Sequence, residues 1–184
     1  AGAIVIKTQA AAQQQGDRIY AKIDALSLVQ AHVSFAELSE LPIPATPTSV
    51  TQACQSAFTI ANLQPSNIGY LEVFGSGIAQ IDRAEITGLL AAYTTVNSQL
   101  TCGIGSVKAN VGHTFAAAGM ASLIKTALCL YHRYIPAVPE WTAPKYPELW
   151  QQSPFYVATD SKFWFVSPSH PNRIAAINGL GIDG

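Results

Sequence analysis

Apolar residues recur along the chain with two periods, and these periods predict alternating strands and helices. Short apolar runs bounded by turn residues predict strands, whereas apolar positions three and four residues apart predict amphipathic helices. The predicted strands cover 3–7, 18–23, 68–74, 104–107, 156–158, 162–166 and 173–177. The predicted helices cover 49–61, 82–93 and a longer segment from near Thr114 to His132. This alternation indicates an α/β protein with helices on the faces of a sheet.

The longest predicted helix is almost free of charge, with Lys125 as its single charged residue before Arg133. Its first turns consist of small residues, so neighbouring elements can approach its backbone closely. Farther on, apolar side chains at helical spacing form a wide face, made of Leu123, Ile124, Ala127, Leu128 and Tyr131. A helix of this composition is typical of the interior of a layered protein, and we expect its apolar face to be buried.

Prolines 42, 44 and 47 interrupt the pattern between Leu38 and Pro47 and predict a surface connection there. We therefore predict two parts, residues 1–47 and residues 48–184. Segments 3–7 and 18–23 are expected to pair as strands in the first part, and 156–158 is expected to pair with 162–166 in the second. Thr48 or Ser49 is the expected N-cap of the helix over 49–61.

The composition excludes several classes of function. Charged residues make up 11% of the chain, hydrophobic residues 49%, and the net charge is −1. So little charge indicates that other protein covers much of the surface, and scattered basic residues give no footprint for nucleic acid or anionic membrane. No run approaches the ~18 apolar residues needed to span a bilayer, and no signal peptide is recognisable. We expect a cytoplasmic protein.

The three cysteines and four histidines show no metal-ligand spacing, so we expect buried free thiols and no metal site. The terminal sequence GLGIDG matches the pattern GxGxxG, but no helix follows it within a βαβ unit. We interpret it as a glycine-rich turn after a strand rather than a dinucleotide loop.

A loop that contains candidate catalytic residues joins the strand predicted over 104–107 to the long helix. It carries Lys108, Asn110 and His113, and Thr114 is a plausible N-cap of the helix. The positive end of the helix dipole would favour a neutral His113 imidazole. Two interpretations stay open at this point: His113 hydrogen-bonds a carbonyl oxygen, or it only caps and packs the loop.

A second strand-to-loop junction reads EVFGSG over 72–77 and is followed by Asp82 and Glu85, while the first reads KANVGH over 108–113. Together they resemble the two histidine motifs of β-ketoacyl synthases, E-A-H-G-T-G-T with G-D-P-x-E after it, and K-S-N-x-G-H before an alanine-rich helix. The resemblance implies a thiolase-like layered αβαβα fold. The chain would supply its C-terminal half and the closing strand pair of its N-terminal half.

The departures from the family motifs bear on activity. Phe74 stands where the family has its first catalytic histidine, and Ser76 and Ile78 replace threonines. The resemblance implies His113 and Lys108 as remnants of the catalytic site. It also implies Ser76, Asn110, Leu180 and Ile182 as substrate-binding candidates, the last two in the glycine-rich gating loop, where Asp183 replaces a glycine. The family's nucleophilic cysteine has no counterpart among the three cysteines here.

This pattern resembles a chain length factor of polyunsaturated fatty acid or polyketide synthases, the inactive partner of a ketosynthase. The resemblance implies dimerisation with that ketosynthase, an acyl tunnel shaped between the two, and an acyl carrier protein that brings the phosphopantetheine-tethered chain. It implies no bound cofactor. Two alternatives stay open. One is an active condensing enzyme whose nucleophile lies on a segment absent here, and the other is a thiolase-like scaffold without an acyl ligand.

Overall fold

A parallel four-stranded sheet forms the centre of the molecule in a computed structural model that describes residues 2–30, 46–94, 100–151, 153–168 and 170–181. Its strands are β1 (Tyr70–Glu72), β2 (Cys102–Gly105), β4 (Phe155–Val157) and β6 (Ala175–Ile177). They lie in the order β4-β2-β1-β6. A separate antiparallel pair joins β3 (Tyr134–Ile135) to β5 (Lys162–Phe163).

Among the described residues, two helices precede β1, and the other four lie in connections between strands. They are α1 (Gln9–Gln14), α2 (Pro47–Ala61), α3 (Ala79–Tyr93), α4 (Lys108–Val111), α5 (Ala118–His132) and α6 (Pro147–Trp150). Single turns of 3₁₀ helix lie at Pro65–Asn67 and Phe115–Ala117. The β1–α3–β2 and β2–α5 connections contain the two strand-to-helix junctions in which the sequence predicts catalytic or binding residues.

Alternate residues of β1 show which helices cover each face of the sheet, because successive side chains of a strand point in opposite directions. Leu71 packs in a core cluster with Val50 of α2 and Leu89 of α3. Tyr70 belongs to a second cluster with Ile135 and Trp164, and its hydroxyl contacts Lys125 of α5. The sheet therefore lies between α2 and α3 on one face and α5 on the other, which confirms the layered α/β prediction.

Helices α2 and α3 approach each other closely at Gly88. A Cβ atom there would lie 2.5 Å from the carbonyl oxygen of Pro47 and 2.7 Å from the Val50 Cβ. The Thr51 hydroxyl donates to the Gly88 carbonyl at 3.0 Å. Glycine at this position therefore allows the two backbones to meet above Leu71.

Several predicted boundaries shift by a few residues. The strand predicted over 104–107 runs from Cys102 to Gly105, and the chain then turns directly into α4. Helix α2 begins at Pro47 because Thr46, rather than Thr48 or Ser49, is its N-cap, with the Thr46 hydroxyl accepting from the Ser49 amide at 3.1 Å. Proline at the first helical position has no amide to satisfy, so it starts this helix instead of ending a loop.

The N-terminal strand predictions are wrong. Neither 3–7 nor 18–23 forms a strand, and α1 lies between them with Thr8 as its N-cap. A strand needs a hydrogen-bonding neighbour, and within the described ranges no strand pairs with either segment. The predicted pairing of 156–158 with 162–166 is also wrong, because β4 pairs with β2 and β5 pairs with β3. The predicted boundary between Leu38 and Pro47 lies mostly in 31–45, outside the described residues.

Helix α5 buries a different face from the one expected. Its buried residues are small or polar, namely Ala118, Ser122, Thr126 and Cys129. Leu128 and Tyr131 from the predicted apolar face are about two-fifths exposed, at 41% and 40%. Small side chains allow the helix to lie close to the sheet, so they occupy the contact instead of the large ones. The stretch Phe115–His132 is apolar and long enough to cross a membrane, contrary to the sequence-based expectation, but core helices of soluble proteins meet the same criterion.

Candidate active site

The loops that follow β1 and β2 contain the predicted site residues. They lie side by side because β1 and β2 are parallel neighbours and both loops leave from the carboxyl ends of their strands. The Val73 amide donates to the Gly105 carbonyl at 2.8 Å. One residue farther along each loop, the Ser106 hydroxyl donates to the Phe74 carbonyl at 3.3 Å. The sheet thus brings together two segments that lie more than thirty residues apart in sequence.

Phe74, Lys108 and His113 form one cluster at this edge. The ring centroids of Phe74 and His113 lie 5.5 Å apart with an edge-to-face angle of 79°. The Lys108 ammonium lies over the Phe74 ring, 4.3 Å from its centroid, in a cation–π arrangement. Partial burial lowers the pKa of Lys108, although the carboxylates of Glu72 and Glu85 oppose that shift.

The His113 imidazole has a defined hydrogen-bond partner. Its Nδ1 atom accepts from the Phe115 amide at 2.9 Å, which assigns the proton of a neutral ring to Nε2. The two interpretations of His113 are therefore compatible, because the ring closes the loop through one nitrogen and keeps a donor on the other. Thr114 lies at the N-cap position of the 3₁₀ turn Phe115–Ala117 that precedes α5, but its side chain makes no capping hydrogen bond. The turn is closed instead by Phe115 at a φ of 49°, with its side chain 83% exposed.

Two carboxylates of α3 hold the loop that follows β1. Glu85 accepts from the amides of Phe74 at 2.7 Å and Gly75 at 2.9 Å. Asp82 accepts from the Ser76 amide and the Ser76 hydroxyl, both at 2.7 Å, and from the Gly77 amide at 3.1 Å. Gly75 and Gly77 both have positive φ, at 54° and 80°, which lets the chain curl around these carboxylates. Asp82 and Glu85 therefore fix the main-chain conformation of this loop.

A third carboxylate, Glu72, lies beneath both loops with no exposed surface. One of its oxygens accepts from the Lys125 ammonium at 2.7 Å and the Tyr70 hydroxyl at 2.8 Å. The other accepts from the Val107 amide at 2.5 Å, at the start of the His113 loop. The sequence interpretation missed this network. Two features of the sequence could have predicted this pair: Glu72 is an acidic residue in an apolar strand, and Lys125 is the lone lysine of an apolar helix.

The predicted substrate-binding residues occupy different surroundings. The Ser76 hydroxyl bonds Asp82 and accepts from the Ile78 amide at 3.0 Å, so it serves the turn. Asn110 is exposed on α4. Leu180 packs against the core cluster that contains Leu71 and lines a small cavity of about 150 Å³. Ile182 lies outside the described residues.

Comparison with known proteins assigns the family. Residues 27–142 match the family model described as the C-terminal domain of β-ketoacyl synthase. The chain belongs to the β-ketoacyl synthase family. It is 33% identical over 193 residues to polyketide synthase PksM of Bacillus subtilis, covering all of this chain and 4% of that protein. It is 35% identical over 189 residues to a phenolphthiocerol/phthiocerol polyketide synthase of Mycobacterium tuberculosis, covering all of this chain and 12% of that protein.

Solved ketosynthase domains share the fold of this β-ketoacyl synthase chain. The oxazolomycin ketosynthase domain OzmH KS7 of Streptomyces albus matches 97% of this chain with a TM-score of 0.84 and 30% identity. Ketosynthase twelve of the bacillaene polyketide synthase of Bacillus amyloliquefaciens matches with a TM-score of 0.79 and 33% identity. The chain spans 30% and 31% of those two domains. The thiolase-like assignment is therefore confirmed, with this chain as the C-terminal half.

The cysteines of this β-ketoacyl synthase chain are placed as core residues. Cys102 and Cys129 are buried and Cys54 is half-buried, and all three are free thiols. Burial raises the pKa of Cys102 to about 12 and that of Cys54 to about 11, with the Glu85 carboxylate adding to the second shift. A nucleophilic thiol needs the opposite shift. Among the described residues, no group of three or more metal-ligating side chains could hold a metal ion.

An apolar groove of about 660 Å³ begins beside the His113 loop and follows the exposed face of α5. Val107, Val111 and Thr114 line its end near the loop, and Ile124, Leu128 and Tyr134 line the remainder. Two of the large apolar side chains that the sequence predicts to be buried, Ile124 and Leu128, therefore form part of the wall of this groove.

Proposed function

We propose that this chain is the C-terminal half of a ketosynthase-type domain that does not perform decarboxylative condensation and acts like a chain length factor. One observation carries the proposal. The Phe74 ring lies 5.5 Å from the His113 imidazole, and the resemblance of the surrounding motif aligns Phe74 with the family's first catalytic histidine. The names of the related proteins favour a polyketide synthase over a polyunsaturated fatty acid synthase as the setting.

The chemistry of decarboxylation explains why Phe74 matters. Loss of carbon dioxide from a malonyl thioester turns the thioester carbonyl oxygen into an enolate oxygen, which needs hydrogen-bond donors. His113 offers the Nε2 proton, whereas Phe74 offers no donor. Removal of one donor from an oxyanion site typically lowers the rate about a hundredfold to a thousandfold.

The tunnel-shaping part of the proposal draws support from the groove along α5. Its wall is apolar, it begins next to the His113 loop, and it has room for several methylene groups of an acyl chain. The proposed partners are an active ketosynthase, which would form the dimer, and an acyl carrier protein, which would deliver the acyl chain on its phosphopantetheine arm. The only cofactor implied is the one carried by that protein.

A decarboxylation assay tests the catalytic part. The complete protein, with its upstream half, is incubated with radiolabelled malonyl-acyl carrier protein, and released carbon dioxide is counted. We expect release at the background rate, and an increase of about a hundredfold or more in Phe74→His, which restores the second donor. Phe115→His is the matched control, because Phe115 also lies beside His113, at 5.2 Å between ring centroids, but not at the end of β1.

The same assay can overturn the proposal. Decarboxylation by the unmodified protein that disappears in His113→Ala would show an active condensing enzyme that works with one histidine. The specific observation favouring that alternative is the assigned Nε2 proton of His113, which leaves the ring with one hydrogen-bond donor.

Product analysis distinguishes tunnel shaping from scaffolding. Leu128→Trp narrows the groove and, on the proposal, shortens the product that the complete synthase releases. Ile60→Trp, on an exposed position of α2 outside the groove, serves as the control. An unchanged product spectrum in Leu128→Trp would favour the scaffold without an acyl ligand.

A further inference from the structure

Glu85 is a buried carboxylate that contacts two loops. It is 3% exposed and lies on α3 behind the Phe74 loop. Its Oε2 atom accepts from the Gly75 amide at 2.9 Å. Its Oε1 atom accepts from the Phe74 amide at 2.7 Å and also from the Asn178 side-chain amide at 2.6 Å. One oxygen atom is therefore shared between the Phe74 loop and the segment that follows β6.

Asn178 is the first residue of the glycine-rich segment 178–181 and is held at two points. Its backbone amide donates to the Glu72 carbonyl at 2.8 Å, which continues the pairing of β6 with β1. Its side chain reaches past the strand end to Glu85. Beyond it, Gly179 and Leu180 line the small cavity beside Val50. Asn178 thus separates the fixed strand from the glycine-rich turn.

We infer that Asn178 is a positioning residue that couples the conformation of segment 178–181 to the main chain of Phe74 and Gly75 through Glu85. The inference concerns the same edge of the sheet as the proposed function but does not depend on whether the domain condenses. A displacement of segment 178–181 that withdraws the Asn178 amide leaves Oε1 with the Phe74 amide alone. The carboxylate then rotates, and the amide most affected is that of Phe74.

The electrostatic surroundings explain why a neutral donor suits position 178. Burial raises the pKa of Glu85, and the hydrogen bonds from Gly75, Asn178 and Phe74 partly oppose this shift. Among the residues that the structure describes, the other titratable groups that interact with Glu85 are Asp82, Cys54 and Lys108. Only Lys108 among these groups is a base that can carry positive charge. A second carboxylate at position 178 would repel Glu85 unless the two shared a proton.

Nuclear magnetic resonance of the complete protein tests the coupling through the Phe74 and Gly75 backbone amides. In Asn178→Ala we expect the Phe74 amide proton to shift more than the Gly75 amide proton, because only the Phe74 amide shares Oε1 with Asn178. In Asn178→Asp we expect both resonances to move at neutral pH and to return towards their original positions on acidification. Asn172→Asp, an exposed change of equal charge, is the control and should leave both resonances in place.

A double-mutant comparison tests transmission from the turn. Leu180→Ala should shift the Phe74 amide in the otherwise unmodified protein and shift it much less in the Asn178→Ala background. Equal shifts in both backgrounds would overturn the inference, as would an unmoved Phe74 amide in Asn178→Ala. If Asn178→Asp fails to fold, the Asn178→Ala and Leu180→Ala variants still decide the question. No acyl substrate enters the measurement, so its failure is distinguishable from failure of the proposed function.

Discussion

The loops after β1 and β2 start from neighbouring strands but are stabilised in different ways. In the first loop, Glu85 and Asp82 from α3 bind consecutive amides from Phe74 to Gly77. In the second loop, Glu72 binds one amide, that of Val107, and the remainder is closed by α4 and His113. The first loop is half-buried over 73–76, whereas the second is exposed from 109 to 116.

The loop whose main chain is better supported is not the loop that carries the acid–base side chains. The strongly supported loop carries Phe74, which has no acid–base function, and the weakly supported loop carries His113 and Lys108. The buried Glu85 and the half-buried Asp82 therefore maintain the shape of a loop whose side chain at position 74 has no acid–base chemistry. A different side chain at position 74 needs no change in that shape, because the hydrogen bonds of residue 74 are made by its main-chain carbonyl and amide.

The largest expected effect concerns the support that the two loops share. Lys125→Ala would leave the Glu72 carboxylate buried without its countercharge, and we expect the free energy of unfolding to fall by about 3–5 kcal/mol. Urea denaturation followed by circular dichroism measures this loss. Lys145→Ala, at a lysine outside this network, should stay within about 0.5 kcal/mol of the unmodified protein. A similarly small loss for Lys125→Ala would contradict the role assigned to this ion pair.

The next effect compares the loops directly. Glu85→Ala deprives the Phe74 and Gly75 amides of their acceptor, and each unsatisfied buried donor costs about 1–3 kcal/mol. His113→Ala removes one acceptor in an exposed loop, and we expect a loss below about 1 kcal/mol. Denaturation midpoints of the two variants give the comparison. Equal losses would show that the two loops are supported to the same degree.

A smaller effect tests the contact between the loops. The Lys108 ammonium over the Phe74 ring should contribute about 0.5–1 kcal/mol at a partly exposed site. Lys108→Met and Phe74→Leu, measured singly and together, isolate this coupling energy. A coupling energy indistinguishable from zero would mean that the two side chains are neighbours without a stabilising contact.

The smallest expected effect is a dependence of stability on pH. Because burial raises the pKa of Glu85, the folded chain binds this proton more readily than the unfolded chain. The Glu85 contribution to stability is thus fully present below the ordinary glutamate pKa and is lost as pH rises through the raised value. Glu85→Gln should remove this slope from the stability profile, and Glu148→Gln, at an exposed position, should retain it. An unchanged slope in Glu85→Gln would assign it to other groups.

The sequence predicted the elements that depend on local patterns. The periodicity around Leu71 and Leu89 was enough to place a strand and a helix, and Gly75 and Gly77 marked the turn between them. Periodicity was insufficient for 3–7 and 18–23, where apolar residues alternate as in a strand but no described strand pairs with them. Pairing is a tertiary property, so composition alone cannot supply it. The same reason explains why β5 pairs with β3 instead of β4.

The sequence by itself determined the α/β class, the resemblance to β-ketoacyl synthases and the mismatch between Phe74 and the first histidine of the family motif, because these depend on residue type and spacing. Only the tertiary structure decided that Glu72 joins Lys125, that Glu85 joins Asn178 and that α5 buries its small face. Those contacts link residues 53 and 93 positions apart in the two polar pairs, and their geometry follows from the parallel pairing of β1 with β2 and β6. Hydrogen bonds between distant residues form only once the sheet has aligned the strand ends.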